Sequence, residues 1–501
     1  MRNLKFSSRT LGSLLMLLSL IVAMWAFVPL RYAQFTGDDW HYLVLLANVS
    51  SWQPIYTDNL VLTYLYRPVA LTLFAASVAA FDANPLPHYA VNVLLHGLTA
   101  VVVWYLVIDT SMKEKRPHRQ IVLSLVVFAC PVAATTVFWI SNRFDLCSTL
   151  FSICAIASLY RWSWRRSTNN LSAVLTLLWL SMALGCKETA FACVPALLLI
   201  LFLSKGQTFF LRGVVALATI VATVAWLAAR RLALGAWDGG ASLTLTYDAL
   251  VRGIAHWIAG FSAFTVGEKW WLAACMTMTI VALVAVRFRI ERGTTAKLLA
   301  VITYATGTVF LQAPIMATAL DAVGETMPAV SYRFYYTPVV CMIVIVGLVV
   351  LNQPLRHTVR LERIASWAAA CVLLWSAYLV HARADEWSRR TASEFASFEA
   401  IRPGIDEKIV RSENSPRCLV DLGTLPPNAA AIPVDLMYKA GRLRSDPVLR
   451  CVLVSEPPQS MSITVGSPCS YDVTPGWRND LAVIRPAARA GTCTFFFLKR
   501  E

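Results

Sequence analysis

The chain has 501 residues, of which 57% are apolar and only 15% charged, and its mean hydropathy is +0.59. Soluble domains carry about 25% charged residues, so a water-soluble enzyme of this size is excluded, as are disordered and fibrous chains. The net charge of +15 is spread over loops between apolar runs, which argues against nucleic acid as a partner, and twelve Cys without a CxxC pair suggest neither a disulfide scaffold nor a zinc site.

A bilayer core about 30 Å thick needs about 20 apolar residues in a helix. In chain order, spans are predicted over 11–30, 88–108, 120–140, 146–160, 171–186, 189–204, 209–229, 271–286, 298–315, 337–351 and 364–382. The first run has no small-x-small cleavage site before Arg31 and is followed by further spans, so it is expected to be retained rather than removed as a signal peptide. Lys and Arg accumulate in cytoplasmic loops. Nineteen of them fall in the segments this arrangement puts inside, against nine outside up to residue 363. The split predicts eleven spans, with the N-terminus cytoplasmic and the C-terminus outside. Residues 68–82 are apolar but short. If they crossed the membrane, Lys113–Arg119 would fall outside, so they are expected to form a helix lying in the outer interface.

The predicted outside segments hold the unusual residues. The first, about 31–87, contains Asp38-Asp39 and Tyr66-Arg67-Pro68, and His88 follows it. The next two are very short and hold Asn142, Arg143 and Asp145, then Lys187 and Glu188. A longer one, about 230–270, carries Trp237, Trp257 and Trp270, and the last contains Tyr332-Arg333-Phe334-Tyr335. Charge at a membrane boundary is costly unless it is paired or used. All these groups fall on one side, whereas a transporter more often places ionisable groups near mid-membrane. The pattern is that of a reaction chamber at the outer face.

A sugar on a polyprenyl phosphate presents such a chamber with an anionic leaving group at the lipid–water boundary. Transfer to a hydroxyl needs a carboxylate to take the acceptor proton and cations to stabilise charge growing on the departing phosphate. Asp38, then Asp39, are the candidate bases. Arg143, Lys187 and Arg333 are the candidate phosphate ligands, assisted by Arg67 and His88, and Asp145 is a candidate for orienting the acceptor or holding an Arg.

At these residues the chain resembles the GT-C glycosyltransferases, membrane enzymes with an acidic motif in the first outside loop. Within that class it is most similar to the transmembrane O-mannosyltransferases with tetratricopeptide repeats and their bacterial relatives. The stretches that carry the resemblance are Phe35-Thr-Gly-Asp38-Asp39, Tyr66-Arg67-Pro68, His88 with Asn92 and His96, Asn142-Arg143-Phe-Asp145, Lys187-Glu188-Thr189 and Tyr332-Arg333-Phe-Tyr335. The resemblance implies an all-α polytopic membrane fold with about eleven transmembrane helices, a catalytic base in the acidic pair, a dolichol- or undecaprenol-type phosphate sugar as donor, and an interfacial helix after the YRP motif. No tetratricopeptide period follows residue 382, so neither mannose nor the acceptor carries over. No cofactor is required by a single-phosphate donor, although the paired acids are also suited to a divalent cation.

Each motif has a plainer reading. Thr36-Gly-Asp-Asp39 has the form of a helix capping box. Asp145 with Arg143, and Lys187 with Glu188, are candidate structural ion pairs, Arg333 a headgroup anchor, and Asn92 with His96 a buried hydrogen-bonded pair. The chain divides at 382/383 into a GT-C-like transmembrane domain, 1–382, and a C-terminal domain, 383–501. The second part is more polar, with 16 Lys/Arg and 14 Asp/Glu. It reads as a helix to about 402 and then as short strands, predicting a small extracytoplasmic α/β or β domain. Its Cys418, Cys451, Cys469 and Cys493 allow three disulfide pairings. The expected setting is a bacterial inner membrane with a periplasmic C-terminus, and the acceptor a glycan, lipid or protein beyond it. The rivals are a lipid-linked glycan flippase or other transporter, and a non-enzymatic assembly or sensor protein.

Overall fold

The computed structural model of the chain describes residues 21–22, 24–36, 38–47, 52–57, 66–107, 127–164, 170–235, 251, 292–323, 335–352, 359–413, 419–421, 452–454, 461–464, 471–475, 482–486 and 492–495. The helices among them are α1 (Asp38–Ala47), α2 (Gln53–Thr57), α3 (Pro68–Phe81), α4 (Pro85–Val107), α5 (Pro131–Val137), α6 (Arg143–Trp164), α7 (Leu171–Leu184), α8 (Cys193–Leu203), α9 (Phe209–Leu234), α10 (Arg292–Val323), α11 (Tyr336–Asn352) and α12 (Val359–Glu413). Short 3-10 turns cover Val28–Tyr32, Ile140–Asn142 and Glu188–Ala192. Among the described residues, four helical stretches are long and apolar enough to cross a membrane: Pro85–Val107, Ile140–Trp164, Phe209–Leu234 and Gly293–Gln312.

The sequence explains where several helices begin and end. Pro stands in the first turn of α3 and α5, where its missing N–H would have had no partner anyway. α9 starts at Thr208, whose hydroxyl accepts the Leu211 N–H at 3.3 Å, and ends at Gly235 in the left-handed conformation with φ 71°. Gly185, just past α7, sits against the start of α3. Its carbonyl accepts the Val69 N–H at 3.0 Å, and a Cβ there would lie 2.5 Å from Val69 Cγ2.

α6 is the central post. Of its span, 83% is buried inside the protein, against 11% for α9. α6 packs on α4, α7 and α8; α10 packs on α8, α11 and the Glu188–Ala192 turn; and α12 packs on the Val28–Tyr32 turn and α5. The predicted spans 88–108, 171–186, 209–229, 298–315 and 337–351 correspond to α4, α7, α9, α10 and α11. The predicted span 146–160 starts earlier: α6 begins at Arg143, so Arg143 and Asp145 lie in a helical first turn rather than in a loop. Span 271–286 lies outside the described residues.

The predicted span 364–382 is part of α12, which continues without a break to Glu413, so residue 382/383 falls within one helix. Beyond it, Leu419–Asp421 pairs in parallel with Val452–Val454. Met461–Thr464 pairs antiparallel with Thr492–Phe495, and Tyr471–Pro475 with Ala482–Pro486.

Candidate active site

The segment before α1 is fixed by Asp39. Its Oδ2 accepts the Thr36 N–H at 3.3 Å, and its own N–H donates to the Thr36 carbonyl at 3.0 Å, the return half of a capping box. The other carboxylate oxygen accepts the Ser141 N–H at 2.7 Å. Asp39 is fully buried and ties α1 to the Ile140–Asn142 turn that leads into α6. Asp38 is the first residue of α1. Thr36 is held from a third side: its hydroxyl donates to Glu394 Oε2 of α12 at 2.8 Å. Nearby, Thr391 accepts the Gln34 N–H at 3.0 Å, and Trp40 stacks with Phe395.

Arg143 opens α6 and points into the bundle, fully buried. Its Nε donates to Asn92 Oδ1 at 3.0 Å, one terminal nitrogen to Ser77 Oγ at 2.8 Å, and the other to the His88 carbonyl at 3.1 Å. The guanidinium also lies 4.8 Å from the Phe74 ring centroid. The planar fork thus joins α3, α4 and α6. His88 is fully buried among Phe35, Phe74 and Phe81, and its Nε2 donates to the Asp82 carbonyl at 2.9 Å.

A different set of charges meets at the same end of α6. Lys187 Nζ donates to Asp145 Oδ1 at 2.5 Å, with both side chains buried. Arg67 gives Nε and a terminal nitrogen to Glu188 Oε2 at 3.2 and 2.9 Å. The two partners are 13% and 25% exposed, so this pair is the more accessible. Burial disfavours the Arg67 charge, but the Glu188 carboxylate outweighs that and raises the Arg67 pKa above its usual value. Phe144 links the cluster to α1: its ring lies 5.1 Å from the Arg67 guanidinium and 5.1 Å from the Tyr42 ring. Four charged side chains from three distant stretches therefore converge beside the helix that Asp38 starts.

No protein-family model and no curated protein matches the sequence. Solved structures do. ArnT from Cupriavidus metallidurans bound to undecaprenyl phosphate aligns over 94% of this chain and 97% of its own, with TM-score 0.51 and 13% identity. The same protein in its apo state aligns over 90% and 86%, with TM-score 0.50 and 13% identity. The chain has the GT-C fold. An archaeal oligosaccharyltransferase, AglB from Archaeoglobus fulgidus in complex with an inhibitory peptide and a dolichol-phosphate, aligns over 73% and 56%, with TM-score 0.37 and 12% identity, a likeness too distant to bear on the argument.

Within this GT-C fold, Asp39, Arg67, Asp145 and Lys187 gather with Glu188 near the start of α6. Arg143 and His88 stand close by, but their polar groups are taken up by Asn92, Ser77 and the His88 and Asp82 carbonyls. The candidate ion pair of Asp145 with Arg143 does not form, nor does that of Lys187 with Glu188. Residues i and i+2 of a helix do not face each other, so Asp145 and Arg143 take different partners. Asn92 and His96 are buried and hydrogen-bonded but not to one another. His96 bonds the Tyr336 hydroxyl and the Phe128 carbonyl, both at 3.0 Å, while Asn92 Nδ2 donates to the Trp139 carbonyl at 3.2 Å. Arg333 lies outside the described residues. Among the described residues, no group of three or more His, Cys, Asp or Glu is placed to hold a metal ion. Sequence reasoning did not anticipate Ser77, Tyr42 or Glu394, because each is an ordinary residue in an ordinary helical run and only the tertiary contact gives it a role.

Proposed function

We propose that the chain transfers one sugar from a polyprenyl-phosphate carrier to an acceptor hydroxyl on the non-cytoplasmic side of a membrane, with inversion. The observation that carries this reading is the convergence of Arg67, Asp145, Lys187 and Glu188 beside α1. The GT-C fold supports it, as does the neighbour solved with undecaprenyl phosphate.

In the proposed step, Asp38 takes the acceptor O–H proton while that oxygen attacks the anomeric carbon. The bond from that carbon to the phosphate oxygen breaks, and its electron pair leaves with the phosphate. A single displacement from the opposite face inverts the centre. Arg67 and Lys187, with Arg333, are the proposed cations for the departing phosphate. Arg67 is the better suited to two phosphate oxygens because of its planar fork. Glu188 and Asp145 hold Arg67 and Lys187 until the carrier arrives, so the cations are oriented without being free to collapse elsewhere. Asp39 then serves as the brace for Asp38, and Arg143 and His88 as supports for the chamber rather than phosphate ligands. Eleven spans, a cytoplasmic N-terminus and an extracytoplasmic C-terminal domain remain part of the proposal, resting on the distribution of Lys and Arg; so does a bacterial inner membrane, which rests on the resemblance to bacterial relatives without the repeats.

The test is mass spectrometry of lipid-linked sugars and surface glycans in cells lacking the protein. The expected result is accumulation of one polyprenyl-phosphate sugar with loss of one sugar from an envelope glycan or glycoprotein. An unchanged profile with no accumulated carrier overturns the proposal.

A further inference from the structure

Past the predicted span 364–382, α12 runs beside the chain that leads into α1. Ser388 Oγ donates to the Pro29 carbonyl at 2.7 Å. Thr391 Oγ1 accepts the Gln34 N–H at 3.0 Å, and Glu394 Oε2 accepts the Thr36 hydroxyl at 2.8 Å. Phe395 then lies against Trp40, with ring planes 9° apart. Residues three and four apart share one face of a helix, so a single stripe of α12 follows this chain from Pro29 to Trp40.

Glu394 differs from the rest of the stripe. Ser388 and Thr391 hold main-chain groups, whereas Glu394 holds a side chain and brings a carboxylate to do so. Arg390, one turn earlier, donates its Nε to Glu394 Oε1 at 3.0 Å. That bond orients the carboxylate and leaves Oε2 for Thr36. A hydrogen bond to an ionised acceptor is stronger than one between neutral groups.

Thr36 is where this contact meets the cap of α1. Its N–H donates to Asp39 Oδ2 and its carbonyl accepts the Asp39 N–H. Those two bonds fix the shape of the turn but not its place in the bundle. The place is set from outside by directional bonds to two elements, Asp39 Oδ1 to the Ser141 N–H at 2.7 Å and Glu394 to Thr36. The Trp40–Phe395 contact is apolar and non-directional. Without Glu394, the first turn of α1 can pivot about Ser141. Asp38 belongs to that turn.

Resting on the transfer reading above, in which Asp38 takes the acceptor proton, we infer that Glu394 is a positioning residue for this step. Acting through Thr36, it fixes the first turn of α1, and Asp38 with it, against the bundle. A reacting group misplaced by about 1 Å loses on the order of 100-fold in rate. A turn left to pivot therefore lowers turnover, while the carrier, held by Arg67 and Lys187, binds as before.

The test is transfer kinetics of the purified full-length protein, with carrier lipid extracted from cells lacking the protein as donor and membranes of the same cells as acceptor. Glu394→Ala is expected to lower kcat on the order of tenfold with the KM for carrier lipid unchanged. Thr36→Val should match it, and Thr36→Ser, which keeps the hydroxyl, should retain most of the turnover. Ser388→Ala removes a hydrogen bond from the same stripe farther from α1 and should leave kcat unchanged. Should Glu394→Ala fail to fold, Glu394→Gln keeps an acceptor without the charge and is expected to lower kcat by a smaller factor. Folded Glu394 and Thr36→Val variants with wild-type kcat, a loss carried by KM instead, or an equal loss in Ser388→Ala overturns the inference and leaves the transfer reading standing. A wild type that transfers nothing overturns both.

Discussion

Two arginines near the start of α6 are used in opposite ways. Arg143 is enclosed by neutral acceptors, Asn92 Oδ1, Ser77 Oγ and the His88 carbonyl. Arg67 faces a carboxylate that is itself partly exposed. A cation locked by three neutral acceptors from two other helices serves as architecture. A cation held by one exchangeable carboxylate, with Lys187 in a similar pair alongside, can turn to a phosphate. Both residue types look the same in the sequence, so the difference lies entirely in what the fold brings to each.

The comparison can be broken most sharply at Lys187. Lys187→Met leaves Asp145 buried and unpaired, and breaking such a pair costs about 3–5 kcal/mol. The expected readout is a large drop in the thermal unfolding midpoint in detergent, with most of it regained in the Lys187→Met/Asp145→Leu double variant. Arg143→Met should cost about 3 kcal/mol, because it strands two buried side chains and a carbonyl. It should act on the unfolding midpoint rather than on carrier binding. If a well-folded Arg143→Met protein loses undecaprenyl phosphate in native mass spectrometry, the assignment of Arg143 to joining α3, α4 and α6 is wrong.

Smaller changes sharpen the picture. Gly185→Ala drives a methyl into Val69, at an expected cost of about 1–3 kcal/mol, and Val69→Ala should relieve it. Glu394→Gln weakens the brace from α12 to Thr36 and is expected to cost about 1 kcal/mol, measured by the same unfolding experiment.

Much of the helical scaffold was legible because a span must be long and apolar: α4, α9 and α10 announce themselves by that alone, and the shorter α7 and α11 by their apolar composition. The start of α6 was not, because Arg143 and Asp145 interrupt hydropathy without interrupting the helix. Several of the motif stretches do meet in the fold: Asp39, Arg67, Asp145 and Lys187 gather near the start of α6. Their roles were less legible. Asp39 took the capping position that its spacing from Thr36 suggested, and the charged neighbours in sequence separated to pair across the fold.

The central claim rests on the division of labour between adjacent aspartates, and a side-by-side transfer assay of Asp38→Asn and Asp39→Asn tests it most directly. With a radiolabelled polyprenyl-phosphate sugar and membranes supplying the acceptor, Asp38→Asn should abolish transfer while keeping the wild-type unfolding midpoint, whereas Asp39→Asn should lower the midpoint. Wild-type transfer by a folded Asp38→Asn protein would contradict the account.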